Sequence, residues 1–363
     1  MHRPAIAPAP VLRVRLALLL AASLPASACL TPESTSDADA TGPGATDSGT
    51  PTGSAPTDPG TDTGNAADTP TDDEQTTGGG GEQTTGSIDP EAPDELLFQM
   101  ALALYNAGDF TGADPLFVQL WAMYPDSPRR DNAGYLHGRC RYALLDFAGA
   151  ATAFDAEIAA YPASLFTDES QYFWGRSLFR LGTYPEALTH FDASLAFAAA
   201  GTFADNAYYY GGRTQYELGD NAAAQTILAP FEAKYPGSSY ADNASYYLGR
   251  ARFALKDYPG AKLALSHVLD FAGSIYLDDA TYYRARSEDA LGDPAAALAD
   301  YAAVVANFPG STYEDNALYH EVRIYVDQMD CASANAIVAD LQSRFPGGTY
   351  TTKAGDYAAM GGC

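Results

Sequence analysis

The sequence predicts an all-α solenoid of about seven helical hairpins, with a 37-residue period, after a disordered linker. Three observations support this prediction. A motif that starts with Asp and usually ends in Gly-Arg recurs at steps of 37 residues, with one step of 36. A short apolar run follows basic residues near the amino terminus, and a long stretch after it holds almost no apolar side chains. Self-similarity at a fixed period of this length is typical of stacked repeats.

Residues 1–28 have the composition of a secretory signal peptide. Three arginines precede the apolar run of residues 16–22, and the small residues 26–28 precede Cys29. The run is too short to span a bilayer, because a spanning helix needs roughly 20 apolar residues. We therefore predict a signal peptide that is removed before the chain matures.

Cys29 makes this segment resemble the signals of bacterial lipoproteins, in which the thiol is acylated and becomes the first residue. Ala26 stands where that family usually has Leu, and Ala26 with Ala28 also suits ordinary cleavage at the same bond. Acylation and simple secretion therefore both remain open. If Cys29 is acylated, Leu30 implies the outer membrane, because Asp at that position typically retains lipoproteins in the inner membrane. The resemblance predicts a lipid-anchored chain that faces the periplasm.

Residues 29–90, which begin with this Cys, form an acidic linker rich in Thr, Gly, Pro and Asp. Residues 30–90 carry twelve Asp or Glu and no Lys or Arg. They have almost nothing apolar to bury, so they cannot offset the entropy lost on ordering, and we predict disorder. The net charge of the whole chain is −26. Such a surface repels phosphate backbones, which excludes nucleic acid as the expected partner.

Residues 91–363 carry the repeats and a carboxyl-terminal capping segment. In the second repeat, apolar residues recur at helical spacing from Asp131 to about Leu144, and a second helix starts near Phe147. This helix ends at Tyr161-Pro162, because Pro cannot continue a helix interior. Ser164 lies in the expected N-cap region of the next helix. The predicted repeats are 94–130, 131–167, 168–204, 205–241, 242–277, 278–314 and 315–351, followed by a capping helix over 352–360.

Small residues recur where the two helices of a hairpin must approach each other. The first helix has Gly138, Gly175, Gly212, Gly249 and Ala285, and the second has Ala113, Ala150, Ala187, Ala224, Ala261, Ala297 and Ala334. A larger apolar residue follows each of these alanines by four positions. Small against large side chains is what interdigitated packing needs.

Several positions in these repeats resemble the tetratricopeptide repeat. The matching residues are Gly138, Tyr142, Asp146, Phe147, Ala150, Phe154 and Pro162, with their counterparts between residues 94 and 351. The usual period of that family is 34, and the three extra residues lie between the Tyr-Pro turn and the next first helix. The longer repeats look like those of bacterial envelope proteins. Among these are the Tol–Pal-associated cell-division coordinator and the lipoprotein subunit of the outer-membrane β-barrel assembly machine.

Three columns of polar and aromatic residues share one face of the first helices, at offsets of three and seven residues. In tetratricopeptide proteins these positions face a concave groove and contact peptides, so the resemblance implies a groove that binds envelope proteins or peptides. The candidate groove residues are Asn132, Tyr135, Arg139, Tyr172, Arg176, Asn206, Tyr209, Arg213, Asn243, Tyr246, Arg250, Tyr282 and Arg286.

Two alternatives to peptide binding remain open for these columns. Columns this uniform also suit a structural ladder, in which a column of Asp at the start of each repeat could pair with Arg of neighbouring repeats. Tyr-lined grooves also stack on sugars, so peptidoglycan or a polysaccharide is the alternative ligand.

The remaining sequence features indicate no catalytic chemistry. The histidines show no metal-like spacing, and the sequence has no Gly-rich phosphate loop, nucleophile elbow or zinc-helix motif. We therefore expect no enzyme, no cofactor and no metal. Cys140 falls in a column of small residues and is expected to be a buried packer, whereas an oxidising periplasm would permit Cys331 and Cys363 to pair. That pairing is left open. The leading hypothesis is an outer-membrane-tethered scaffold for envelope assembly or division.

Overall fold

A computed structural model describes residues 89–197 and 201–363. The predicted signal peptide, Cys29 and the linker up to residue 88 lie outside the described residues. Within the described part every regular element is an α-helix, which confirms the predicted class. The helices are α1 (Pro93–Asn106), α2 (Phe110–Met123), α3 (Arg130–Ala143), α4 (Phe147–Ala160), α5 (Thr167–Arg180), α6 (Tyr184–Phe197), α7 (Ala204–Glu217), α8 (Asn221–Leu228), α9 (Phe231–Lys234), α10 (Ala241–Ala254), α11 (Tyr258–Val268), α12 (Leu277–Ala290), α13 (Pro294–Asn307), α14 (Glu314–Asp327), α15 (Cys331–Arg344) and α16 (Thr349–Met360).

Consecutive helices form the seven predicted hairpins, and each first helix also packs on the second helix of the hairpin before it. Helices α3 and α4 end within one residue of the limits that the sequence indicates. The solenoid prediction is therefore confirmed. Among the described helices none is long and apolar enough to cross a membrane.

Each hairpin turns through a residue with positive φ that precedes a helix cap. In the second hairpin Leu145 has φ 61°, and Asp146 Oδ1 accepts a hydrogen bond of 2.9 Å from the amide of Gly149. The same Asp cap starts α2, α8, α11, α13 and α15. An Asp cap satisfies an amide that the helix leaves without a partner. The Asp146 column of the tetratricopeptide-like pattern is thus accounted for by capping.

The predicted contact of small against large residues holds the two helices of each hairpin together. The alanines of the second helices are fully buried. A Cβ added at Gly175 would lie 2.8 Å from the Phe191 ring, and one at Gly249 would lie 2.6 Å from Leu265. The helices approach this closely because the first helix has no side chain at these positions.

The second helix of the fourth hairpin differs from the others because it is divided into α8 and α9. Pro230 stands where the helix would otherwise continue, and it has no amide hydrogen to donate to the preceding turn. The chain resumes a helical turn at Phe231, whose side chain is buried. The break therefore costs helical hydrogen bonds without removing this residue from the core.

Helix α16 covers the carboxyl-terminal end of the solenoid, as the capping prediction requires. It packs on α14 and α15, and Ala354 and Ala358 are buried in that contact. Cys363 forms a disulfide with Cys331, with 4.9 Å between the Cα atoms. The pairing that the sequence left open is therefore present. In the chain-entropy model, closing a loop of this length contributes roughly 3–4 kcal/mol.

Two adjacent glycines of α7 provide a matched test of the packing. Nothing lies within 4 Å of a Cβ built at Gly211, whereas one at Gly212 would lie 2.5 Å from Leu228. We expect Gly211→Ala to stabilise the protein by about 0.5–1 kcal/mol, because Ala is the better helix former. Gly212→Ala should destabilise it by about 1–2 kcal/mol through overpacking. Urea unfolding followed by circular dichroism measures both, and equal stabilisation would contradict the packing model.

Candidate functional site

The Tyr column of the candidate groove lies between consecutive repeats. Each Tyr stacks on an aromatic residue that immediately precedes or begins the next first helix. The ring centroids are 5.1 Å apart for Tyr135 and Phe166, 4.9 Å for Tyr172 and Phe203, 4.7 Å for Tyr209 and Tyr240, 4.1 Å for Tyr246 and Tyr276, and 4.5 Å for Tyr282 and Tyr313. The sequence-based prediction missed this second aromatic column, although its 37-residue spacing is legible in the sequence.

The turn between hairpins places this second ring. Ser164 lies two residues before the N-cap Phe166, and its Oγ accepts a hydrogen bond of 3.2 Å from the Phe166 amide. The hydroxyl also donates to Asp131 over 3.1 Å. Ser164 therefore does not cap α5 as predicted. It fixes the turn and ties it to the start of the previous repeat, and the three residues beyond the usual period of 34 lie in this connection.

The Asp column pairs with these serines. Besides Asp131, Asp205 accepts from Ser238 over 2.7 Å and Asp278 accepts from Ser311 over 2.8 Å. The suggested pairing of the Asp column with neighbouring arginines is therefore wrong at these three positions. A short serine reaches the carboxylate because both stand at the same edge of the stack.

The arginines lie between aromatic rings of successive first helices. The Arg176 guanidinium lies 5.2 Å from the Tyr142 ring centroid on one side and 4.8 Å from that of Tyr210 on the other, and it donates to the Tyr172 hydroxyl over 3.1 Å. A planar guanidinium stacks on ring faces while its edge donates hydrogen bonds. The column therefore joins three consecutive repeats at each step.

Arg213 and Arg250 repeat this arrangement. Arg213 lies 4.9 Å from the Phe179 centroid and 5.0 Å from that of Tyr247. Arg250 lies 3.9 Å from the Tyr283 centroid, and its Nη1 donates to Tyr246 over 2.6 Å. Both side chains are buried, Arg213 to 2% exposure.

The Asn column reaches back to the Tyr hydroxyl of the preceding repeat. Asn206 Nδ2 donates to the Tyr172 hydroxyl over 3.2 Å. Asp279, which occupies the same column two repeats later, accepts from the Tyr246 hydroxyl over 3.1 Å. These contacts satisfy polar atoms that the stacking buries.

All the candidate groove residues except Asn132 and Arg286 are buried. The expectation of an open groove lined by these side chains is corrected accordingly, because stacking between repeats consumes their faces. The ladder alternative describes their main role, and ligand contact at Asn132 and Arg286 stays a prediction. In the part of the chain that the structure describes, no group of three or more His, Cys, Asp or Glu is placed to hold a metal ion.

Comparison with protein families decides what kind of repeat this is. One tetratricopeptide repeat model matches residues 98–164, 135–205 and 211–269, and a second matches residues 279–311, which together span more than half of the chain. The chain belongs to the tetratricopeptide repeat family. Proteins of this family are interaction scaffolds, and their stacked repeats offer extended binding surfaces.

Solved structures show the same fold. The carboxyl-terminal part of a tetratricopeptide repeat protein from Cytophaga hutchinsonii is 18% identical, with a TM-score of 0.57 over 71% of this chain and 98% of that one. A tetratricopeptide repeat protein from Parabacteroides merdae is 14% identical, with a TM-score of 0.47 over 73% and 98%. Pseudomonas aeruginosa PilF is 12% identical, with a TM-score of 0.48 over 60% and 93%. No curated protein sequence matches the chain.

Two buried carboxyl groups have raised pKa values. Burial raises the pKa of Glu157 to about 7, although a hydrogen bond from Ser170 opposes the shift, and burial also raises the pKa of Glu321 to about 7. Glu157 occupies a position that is apolar in most other tetratricopeptide repeats of the chain, among them Leu120 and Val268. Burial likewise raises the pKa of the Cys140 thiol to about 12, which makes it a poor nucleophile.

Removal of one ladder arginine should lower stability. We expect Arg213→Ala to destabilise the protein by about 2–3 kcal/mol, because the substitution removes two desolvated ring contacts and leaves a cavity. Arg213→Lys should recover only part of this, since an ammonium cannot stack as a plane. Arg180, which is exposed and lies over the Phe147 ring, provides the control, and Arg180→Ala should change the unfolding free energy by less than about 0.5 kcal/mol. Equal losses for the two alanine variants would refute the ladder.

The Glu157 pKa predicts a pH dependence of stability. The folded protein keeps the Glu157 proton up to about pH 7, whereas the ordinary value is 4.5. Stability from this group is complete below pH 4.5 and is lost as the pH rises to about 7, by about 3 kcal/mol. Glu157→Gln should flatten this part of the profile in denaturant unfolding at several pH values. Exposed Glu186→Gln should leave the profile unchanged, and a wild-type profile in Glu157→Gln would contradict the assignment.

Proposed function

We propose that this chain is a cell-envelope scaffold, held at the outer membrane by acylated Cys29, that faces the periplasm and binds segments of envelope proteins. The single observation that supports the binding role is the change in the arginine column toward the carboxyl terminus. Arg139, Arg176, Arg213 and Arg250 are buried, whereas Arg286 and Arg323 are half-buried. Tetratricopeptide repeats supply the class of function, protein binding, and these two guanidiniums supply a place for it.

The chemistry of this place favours an acidic or carboxyl-terminal peptide segment. Arg286 and Arg323 belong to adjacent first helices, α12 and α14, of an otherwise strongly acidic chain. A guanidinium binds a carboxylate through two parallel hydrogen bonds, which gives both affinity and orientation. The ladder holds the backbone of these helices rigid, so little conformational entropy is lost when a ligand binds there.

The disulfide supports the proposed address. Disulfides persist in oxidising compartments and are rare in the cytosol, and Cys331–Cys363 closes a sequence separation of 32 residues. Together with the signal-like residues 1–28 it favours export. The roles in β-barrel assembly or division rest on the resemblance of the long turns alone, and we include them only as the two settings that such a scaffold fits.

Carbohydrate binding receives less support than protein binding. A sugar stacks on an exposed ring face. The largest fully buried side chains of the described residues include Tyr172, Tyr209, Tyr210, Tyr282 and Tyr301, so these rings belong to the core. Peptidoglycan or polysaccharide is therefore an outcome to be tested rather than a second proposal.

Cross-linking in cells, followed by identification of the captured molecules, tests this function. We expect Arg286→Ala to lower capture of an envelope protein about tenfold, as loss of one charge-assisted hydrogen bond implies. Arg284→Ala in the same helix is the matched control. Arg284 instead pairs with Asp300 over 2.6 Å, so its loss should lower the melting temperature and leave capture unchanged.

Two further results decide between the parts of the proposal. Cys29→Ser should release the chain from the membrane fraction without changing its fold, and retention there would refute the lipid anchor. Capture of wall material alone, or capture that Arg286→Ala and Arg323→Ala both leave unchanged, would refute the protein-binding site.

A further inference from the structure

The amino-terminal end of the solenoid exposes an apolar helix face. Leu96 of α1 is 51% exposed and Met100 is 60% exposed. Leu97 and Leu104 lie on the same side of the helix and are partly buried against the core. We call these four residues the amino-terminal face.

In the later repeats the equivalent positions pack on the preceding hairpin. Gly134 and His137 stand 37 residues after Leu97 and Met100. A Cβ at Gly134 would meet the Trp121 ring of α2, and His137 Nδ1 lies 2.5 Å from Asp114 of the same helix. The column of Leu96 continues as buried Ala133, Ser170, Ala207, Ala244, Ala280 and Ala317. The amino-terminal face is therefore a surface built to receive another helix, and the described residues before Pro93 form none.

The chain segment directly upstream is poorly suited to cover this face. Residues 30–88 contain a single large apolar residue after Leu30, which is Ile88. Burial of Leu96 and Met100 needs apolar side chains on the covering element, because the free energy gain scales with apolar area removed from water.

The carboxyl-terminal end cannot serve as the partner surface. Helix α16 closes it, and Thr352 and Asp356 of that helix are exposed. The disulfide of Cys363 holds this end in place. Head-to-tail stacking of two copies would bury these polar groups against leucines without hydrogen bonds, which is costly. Any pairing of two copies through the amino-terminal face must therefore be symmetric.

Charge favours such pairing at this end. Helices α1 and α2 contain no Lys or Arg, and their acidic residues are few. Glu95 pairs with Arg129 over 2.8 Å, and Asp114 pairs with Arg141 over 3.0 Å. The chain as a whole carries −26, so two copies repel each other over most of their surface. Depletion of charge and enrichment in Met at the centre are typical of protein interfaces.

We propose that two copies of this chain associate through the amino-terminal face, with α1 of one copy packed against α1 of the other around a two-fold axis. Such an axis makes the same residues face one another, as closed homodimers require. The large residues at the Ala and Gly columns of α1 then fill the space that a preceding second helix occupies in the later repeats. This proposal is independent of the proposed function.

Sedimentation velocity of the full chain tests the pairing, with Cys29→Ser present throughout to exclude association through an acyl group. We expect a dimer at micromolar concentration, and Met100→Lys should weaken association at least a hundredfold while helicity stays unchanged. Met329→Lys is the matched control. Met329 is 79% exposed at a hairpin turn where another repeat already has Lys256, so the variant should remain a dimer.

Every other result overturns the proposal. A dimer that Met100→Lys leaves intact would place the contact elsewhere. A monomeric parent chain would exclude pairing. If hydrogen exchange then shows α1 protected, the chain's own apolar residues 16–22 cover the face. A Leu96→Glu variant, at a second exposed position, guards against a local effect of Lys at position 100.

Discussion

The stack depends on one contact, in which a tyrosine of each first helix lies flat against the aromatic residue that introduces the next first helix. Each ring pair is clamped by an arginine that reaches rings of its neighbours, as Arg176 does between Tyr142 and Tyr210. In a linear array, stability comes from interfaces between nearest neighbours. A contact repeated at every interface therefore sets both the spacing of the hairpins and the free energy that holds them together.

This contact also decides what the first helices can offer a ligand. The faces of the tyrosines and of four arginines are used between repeats, and only where the column reaches Arg286 and Arg323 does guanidinium surface return. Uniform columns cannot discriminate between ligands, because specificity needs differences along the surface. A binding site at the less buried end of the column resolves that difficulty. The ladder supplies rigidity, and the change in burial supplies the difference.

The periodic part of the sequence predicted the fold closely. Gly138, Ala150 and Phe154 indicated the hairpin, because a small residue that recurs opposite a large one at fixed spacing marks a close approach of two helices. The candidate site was predicted less well. The offsets of Tyr209 and Arg213 placed them on one stripe, but spacing within a helix cannot reveal how far the next repeat covers that stripe. The covering ring, Tyr240, belongs to the inter-repeat turn, whose path depends on Ser238 and Asp205.

The same dependence on neighbours makes the two ends of the array unequal. A terminal hairpin has an interface on one side only, so it frays first unless something else holds it. At the carboxyl end, α16 and the Cys331–Cys363 disulfide supply what a further repeat would otherwise give. At the other end α1 presents Leu96 and Met100, side chains that cost free energy in water and gain it only when covered. A cap made of polar residues would have ended the array without a partner. The choice of large apolar residues instead favours an array that is completed by association.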